Sequence, residues 1–199
     1  MATTKTRALY LVLDMQNDLV AADGPNGQSP LGKQVRERKV LENTARAIDK
    51  ARAAGLRIGF VRVGFSPDYR ECPKNSPLFS GAEEMGLFKL GSRGTEIHAD
   101  LAPRSEDLQV VKHRVSPFYA TTLSAQLSAL EITRIYCSGV STQAVVQATV
   151  RDGHDRDFEM IVLEDCCAAP EATEHANSIQ SIARFCTVTT SRDVEFKAD

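Results

Sequence analysis

An acid, an amine and a helix start each follow an apolar run in this chain, and together they could move a proton and hold developing negative charge. Asp14 closes LVLD, Lys112 closes LQVVK, and Ser141 and Thr142 follow the run ITRIYCSGV, inside GVSTQAVVQATVRD. A carboxylate beside an ammonium stays ionised and can be poised as a base, while the ammonium steadies charge on a reacting group. Backbone N–H groups at a helix start can stabilise an oxyanion. The place in the first helical turn where a nucleophile would be mounted is Val145, which has no reactive atom. Each residue alone also has a plainer role. An Asp after a strand commonly closes a turn, and a Lys at a strand end is commonly solvated. Spacing in the sequence does not by itself bring them together.

The elements that would position these residues alternate along the chain. Residues 8–15, 56–63, 108–112, 132–139, 159–165 and 186–191 are apolar and partly β-branched, as strands of a parallel sheet covered on both faces should be. Val40, Leu41, Ala45, Ile48 and Ala51 recur at helical spacing, and Gly55 stands where a left-handed cap would end that helix. Thr122 is placed to cap a shorter helix carrying Leu123, Leu127 and Leu130, and Pro170 with Glu171 opens another. Strands alternating with helices give a three-layer α/β sandwich, and in such open sheets ligands bind beyond the carboxyl ends of the strands. Residues 64–107 break the pattern with several Gly and Pro and little periodicity. They read as a partly ordered cover over that edge or, equally, as a surface excursion or oligomer contact.

Composition narrows the function. The 199 residues read as one domain, spanning 1–199, with 24 Lys and Arg against 26 Asp and Glu. With no basic stripe or charge block, nucleic acid and anionic membranes are not expected partners. The N-terminus has too short an apolar run for a signal peptide, and no stretch approaches the roughly 20 apolar residues of a bilayer span, so a cytoplasmic protein is expected. Cys72, Cys137, Cys166, Cys167 and Cys186 show no CxxC spacing, and His98, His113, His154 and His175 form no HxH or HExxH cluster. Neither a disulfide framework, a metal site nor a cofactor is expected.

Four blocks in order, LVLDMQND, VVKHRVSPFYATTL, GVSTQAVVQATVRD and VLEDCCAA, resemble the isochorismatase-like hydrolase superfamily from about residue 8 to about residue 190. That resemblance implies a six-stranded parallel α/β/α sandwich and a dimer or larger homo-oligomer. It implies that Asp14 and Lys112 are the catalytic acid–base residue and its partner. It places a non-proline cis peptide between Val140 and Ser141, aiming the Ser141 N–H at an oxyanion. The superfamily's nucleophilic Cys falls on Val145. A thiolate attacks and is later released from a thioester in the amidase branch, and a valine can do neither. The isochorismatase branch also lacks that Cys, because protonation chemistry or attack by water does not need it. A nicotinamidase is disfavoured on a second ground, since the DxH-type metal ligands after the second strand are replaced by RVGFSPDY.

Further residues are substrate-binding candidates with plainer alternatives. Gln16, with Asn17, would orient Asp14 or tie down the following loop. Phe118 and Tyr119 would wall the pocket or pack the loop onto the core. Thr142 and Gln143 would contact substrate or cap the helix. Tyr69 and Phe79 would be lid contacts, and Arg151, Asp152 and His154 a surface or subunit-contact set. The expectation is a small-molecule hydrolase without a cysteine nucleophile, acting on a vinyl ether, amide or ester. The alternatives are a non-catalytic metabolite-binding descendant and a cysteine amidase whose nucleophile was replaced by Val145.

Overall fold

In the computed structural model, residues 7–198 are described. Six strands run parallel: β1 (Arg7–Leu13), β2 (Arg57–Val63), β3 (Leu108–Lys112), β4 (Ile132–Val140), β5 (Glu159–Ala168) and β6 (Thr187–Thr189). Their order across the sheet is β3-β2-β1-β4-β5-β6. The helices are α1 (Asn17–Val20), α2 (Pro30–Glu37), α3 (Val40–Ala53), α4 (Leu123–Ala129), α5 (Gln147–His154) and α6 (Ala172–Ile182). No helix among the described residues is long and apolar enough to cross a membrane.

The double-sided burial of the strands makes the three layers. Along β1, Ala8, Tyr10 and Val12 pack with Val35, Val40, Ala47, Ile48 and Ala51 of α2 and α3 on one face. Leu9, Leu11 and Leu13 pack with Leu123, Leu127, Val150 and Ile182 of α4, α5 and α6 on the other. Alternate side chains of one strand thus enter two separate apolar cores, which is why the run is hydrophobic at every position. Connections in the first half of the chain lie on one face and those in the second half on the opposite face. The order reverses between β1 and β4, which are neighbours, so a crevice forms where their carboxyl ends diverge. Gly139 permits the close approach. Its φ is 155°, and a Cβ there would overlap the Leu13 carbonyl oxygen.

Local chemistry explains the helix ends. Ser29 caps α2 by accepting from the Gly32 N–H at 3.2 Å, with Pro30 in the first turn. Lys39 takes a left-handed φ of 53° and separates α2 from α3, and Gly55 at 81° follows the end of α3. Two expected caps differ. Thr122 is already helical, and it is the Thr121 hydroxyl that accepts from the Leu123 N–H at 3.1 Å. Pro170 precedes α6, which starts at Ala172 after an extended Glu171.

Residues 64–107 contain only turns and two short 3-10 segments, Arg93–Thr95 and Ala99–Leu101, yet they build a core of their own. Phe65 sits at its centre, with the rings of Phe79, Tyr69 and Phe88 at 5.7, 6.0 and 6.4 Å. The segment is fastened to the end of β1. The Phe88 N–H donates to Asp18 Oδ2 at 2.7 Å, Asn17 Nδ2 donates to the Arg93 carbonyl at 2.9 Å, and Gln16 pairs antiparallel with Ile97.

Candidate active site

Strand ends deliver the acid and the amine to one point. Asp14 follows β1 in a left-handed conformation (φ 56°), with its N–H donating to the Val61 carbonyl at 2.8 Å. An L-residue is disfavoured there, and Asp is among the types that tolerate it. Lys112 ends β3, two strands away, and its side chain reaches back across the end of β2. Its Nζ lies 2.8 Å from Asp14 Oδ2 and 3.1 Å from the Arg114 carbonyl, which accepts a second bond. The two side chains are 6% and 1% exposed. Burial pushes the Asp14 carboxyl above its ordinary pKa, and the Lys112 charge and hydrogen bond pull against that shift. Asp14 Oδ1 is buried and has no hydrogen-bond partner. An acceptor left in that state has a lone pair available for a bound molecule.

The third strand end supplies the turn. The Val140–Ser141 peptide is cis. Thr142–Val146 then form one wide π-type turn before α5, with the Ala144 and Val146 N–H groups both donating to the Ser141 carbonyl at 3.2 and 3.4 Å. Val145 is buried in this turn and lines the same cavity as Asp14, Lys112, Val140, Ser141 and Gln143. The cavity holds about 380 Å³. Leu78, Phe79, Met85, Leu87 and Phe88 of the 64–107 segment wall it, as do Leu19, Asn26, Ser29, Pro30 and Leu31 from the stretch after β1. The long segment therefore covers the edge of the sheet that the sequence assigned it.

Several expected pocket residues lie elsewhere. Gln16 is fully buried and holds the end of β2, its Oε1 accepting from the Val63 N–H at 2.8 Å and its Nε2 donating to the Val63 carbonyl at 3.0 Å. It does not line the cavity. Phe118 belongs to the core beneath α4, stacked on Phe158 at 6.0 Å with the Arg156 guanidinium above it, so it walls no pocket. Tyr119 is 62% exposed on the outer surface and also lies off the cavity. Tyr69 packs inside the cover rather than against the cavity. Thr142 is fully buried behind the turn, where its hydroxyl meets His175 Nδ1 at 2.8 Å. Gln143 does line the cavity, and its Oε1 is buried without a partner. The members of the proposed surface set, Arg151, Asp152 and His154, make contacts within the chain. Arg151 stacks on Phe185, Asp152 accepts from Ser116 and Arg156, and the His154 ring meets Phe185 edge-on.

None of the five cysteines lines the cavity. All five are free thiols, and Cys137, Cys166 and Cys167 are fully buried. Burial pushes these three thiols well up, and Cys186 to about 11, so none is poised as a thiolate.

The sequence reading missed a polar relay behind the turn. With its proton on Nε2, His175 donates to Glu164 Oε2 at 3.2 Å and takes the Thr142 hydroxyl on Nδ1. Arg38 donates to the same carboxylate at 2.8 Å and to the Cys167 carbonyl at 2.9 Å. The His175 hydrogen bond is the main reason that the Glu164 pKa is lowered. These residues come from four elements with no common spacing. The only hint in the sequence is a His on the inner face of α6.

The family model for the isochorismatase domain matches residues 8–193. Among curated proteins, the chain is 30% identical to the isochorismatase family protein YecD of Escherichia coli O157:H7, covering 89% of this chain and 88% of that one. It is 31% identical to the ureidoacrylate amidohydrolase RutB of Methylorubrum extorquens, covering 89% and 76%. Among solved structures, an isochorismatase family protein from Desulfovibrio vulgaris superposes with a TM-score of 0.81 at 23% identity, covering 94% and 96%.

Proposed function

The chain belongs to the isochorismatase family, and from that premise we propose that it is a cytoplasmic, homo-oligomeric hydrolase of small molecules that works without a covalent intermediate. The observation that carries this reading is the Asp14–Lys112 pair, in contact at 2.8 Å, with Asp14 Oδ1 buried and unpartnered in a cavity whose nucleophile position is Val145. Asp14 is the general base. Its Oδ1 takes a proton from a water whose oxygen attacks the electrophilic carbon, and it returns that proton to the leaving group as the C–N or C–O bond breaks. For an enol ether the same carboxyl, protonated, delivers its proton to carbon first. Lys112 keeps Asp14 oriented and limits the rise of its pKa, and the N–H groups of Ser141 and Val145 face the developing negative charge. The family's hydrolases and the amidohydrolase relative support the reaction class. The five free thiols fit a reducing compartment.

The aliphatic wall at Val145 favours a second reading, in which the cavity binds a metabolite without turning it over. A substrate panel of amides, esters and enol ethers separates the two. Hydrolysis that disappears in Asp14→Asn supports the first. Saturable binding with no hydrolysis of any member, in either protein, supports the second. Light scattering on the eluting protein checks the oligomer, and a monomer at micromolar concentration would overturn that part.

A further inference from the structure

The mouth of the cavity differs from its floor, and the difference carries an inference about the body of the substrate that rests on the reading of this cavity as the substrate site. Both charged side chains of the wall, Asp14 and Lys112, lie on the floor, where they are 6% and 1% exposed. Away from them the wall is hydrocarbon. Leu19 and Leu31 line it from the stretch after β1, and Leu78, Phe79, Met85 and Leu87 line it from the 64–107 segment. Two polar side chains from the first of these stretches reach the cavity, and both serve the backbone. Asn26 Nδ2 donates to the Asp18 carbonyl at 2.8 Å, and Ser29 Oγ donates to the Asn26 carbonyl at 2.7 Å while accepting from the Gly32 N–H. Among the described residues, three large apolar side chains stay largely exposed, and two of them, Leu78 and Met85 at 61% and 64%, stand on this mouth. Apolar surface gathered at the entrance of a cavity marks a place where hydrocarbon is covered on binding.

We infer that this mouth is a specificity subsite for a hydrocarbon chain or ring carried by the substrate, and that Leu78 and Met85 set how much of it is bound. The substrate class is then a compound with an extended apolar body rather than a compact polar metabolite. A compact substrate leaves Leu31, Leu78 and Met85 in water and gains nothing from them. Each methylene laid along this wall leaves water and gains about threefold in affinity. A hydroxyl in the same place finds the Asn26 and Ser29 donors already committed, so it gives up hydration for less return. The mouth is continuous with the floor, where Asp14 Oδ1 has no partner, and that continuity favours one small molecule spanning both over a second protein surface.

The test uses the uncharged dye N-phenyl-1-naphthylamine, whose emission rises in apolar surroundings. It is bound to the full chain and displaced by straight-chain primary alcohols from butanol to octanol. Displacing affinity is expected to rise by about threefold per methylene. A flat series overturns the inference, as does the absence of saturable dye binding. Leu78→Asp and Met85→Asp change exposed side chains, and each is expected to cut the slope to about twofold or less per methylene. Tyr119→Asp, at the third exposed apolar position, lies off the cavity and keeps the parent slope. An unchanged slope in the folded Leu78→Asp and Met85→Asp proteins overturns the inference, and where the same variants then dissociate in light scattering, the mouth is a contact between copies instead. Hydrolysis is followed separately, with p-nitrophenyl esters from acetate to octanoate. A binding slope without turnover of any ester, amide or enol ether leaves this inference standing and removes the hydrolase reading. Hydrolysis whose kcat/KM is highest for acetate and falls with each added methylene does the reverse.

Discussion

Two buried polar systems flank the turn after β4, built from similar chemistry and left in opposite states. Behind the turn, Thr142, His175, Glu164 and Arg38 form a chain in which hydroxyl, ring nitrogens, carboxylate and guanidinium all have partners. In front of it, Asp14 and Lys112 meet at 2.8 Å, but one carboxylate oxygen has none. Viewed as residue types, the rear system looks the more catalytic, since a hydroxyl, a His and a Glu in series resemble a nucleophile with its base and orienting acid. Its hydroxyl residue is fully buried and off the cavity, however. Saturation marks the scaffold that holds the turn, and the vacant lone pair marks the place where chemistry can occur.

The strongest way to break that contrast is Asp14→Asn. It keeps the shape and removes the base, and turnover should fall by about a hundredfold or more. A melting curve checks that the protein remains folded, and undiminished turnover would make Asp14 a structural residue. Lys112→Met comes next. It strands a buried carboxylate and should cost about 3–5 kcal/mol in chemical unfolding. The base works only above its own pKa, which Lys112 pulls down. The acid limb of the pH–rate profile should therefore move to higher pH in this variant, and a fixed limb would assign it to another group.

The rear system should respond more weakly and differently. His175→Gln is expected to lose about 1–2 kcal/mol of stability, while the acid limb of the pH–rate profile stays in place. A displaced limb would mean that the relay takes part in the chemistry. Glu164, with its pKa lowered on folding, contributes stability that is present above its unfolded value and lost as pH falls through its folded value. Urea midpoints should therefore decline on acidification more steeply in the parent than in Glu164→Gln. The smallest effect is the most diagnostic. Alkylating reagents should leave turnover unchanged, because no cysteine lines the cavity. Val145→Cys should gain an adduct at that position. Inactivation of the parent, with the adduct mapped to Cys166 or Cys167, would expose a nucleophile that the geometry disfavours.

The sheet was legible in the sequence because each strand is apolar on both faces, a pattern that requires no knowledge of partners. All six runs are strands, and Asp14, Lys112 and the 140–145 turn do converge. The errors share one cause. Gln16, Phe118, Tyr119 and Thr142 are near the reactive residues in the chain, but a side chain's direction depends on its own local geometry. Gln16 follows the left-handed Asp14 and turns onto β2, and Phe118 points beneath α4. Conversely, Leu78, Met85 and Leu87 wall the cavity from a segment with no periodicity to read, placed there by anchors such as Asp18 on the Phe88 N–H. The His175 relay was invisible because its members meet only after β4, β5 and α6 have packed.

The strand order also has a consequence for synthesis on the ribosome. Asp14 emerges early, but Lys112 follows nearly a hundred residues later and the Ser141 turn later still. Because β1 is central, it must wait for β4 before its second edge is covered. Until then the nascent chain carries an exposed strand edge and an unneutralised carboxylate beside it. A charge at the end of an apolar strand disfavours its pairing with another chain, so Asp14→Asn is expected to raise aggregation during refolding, read by light scattering.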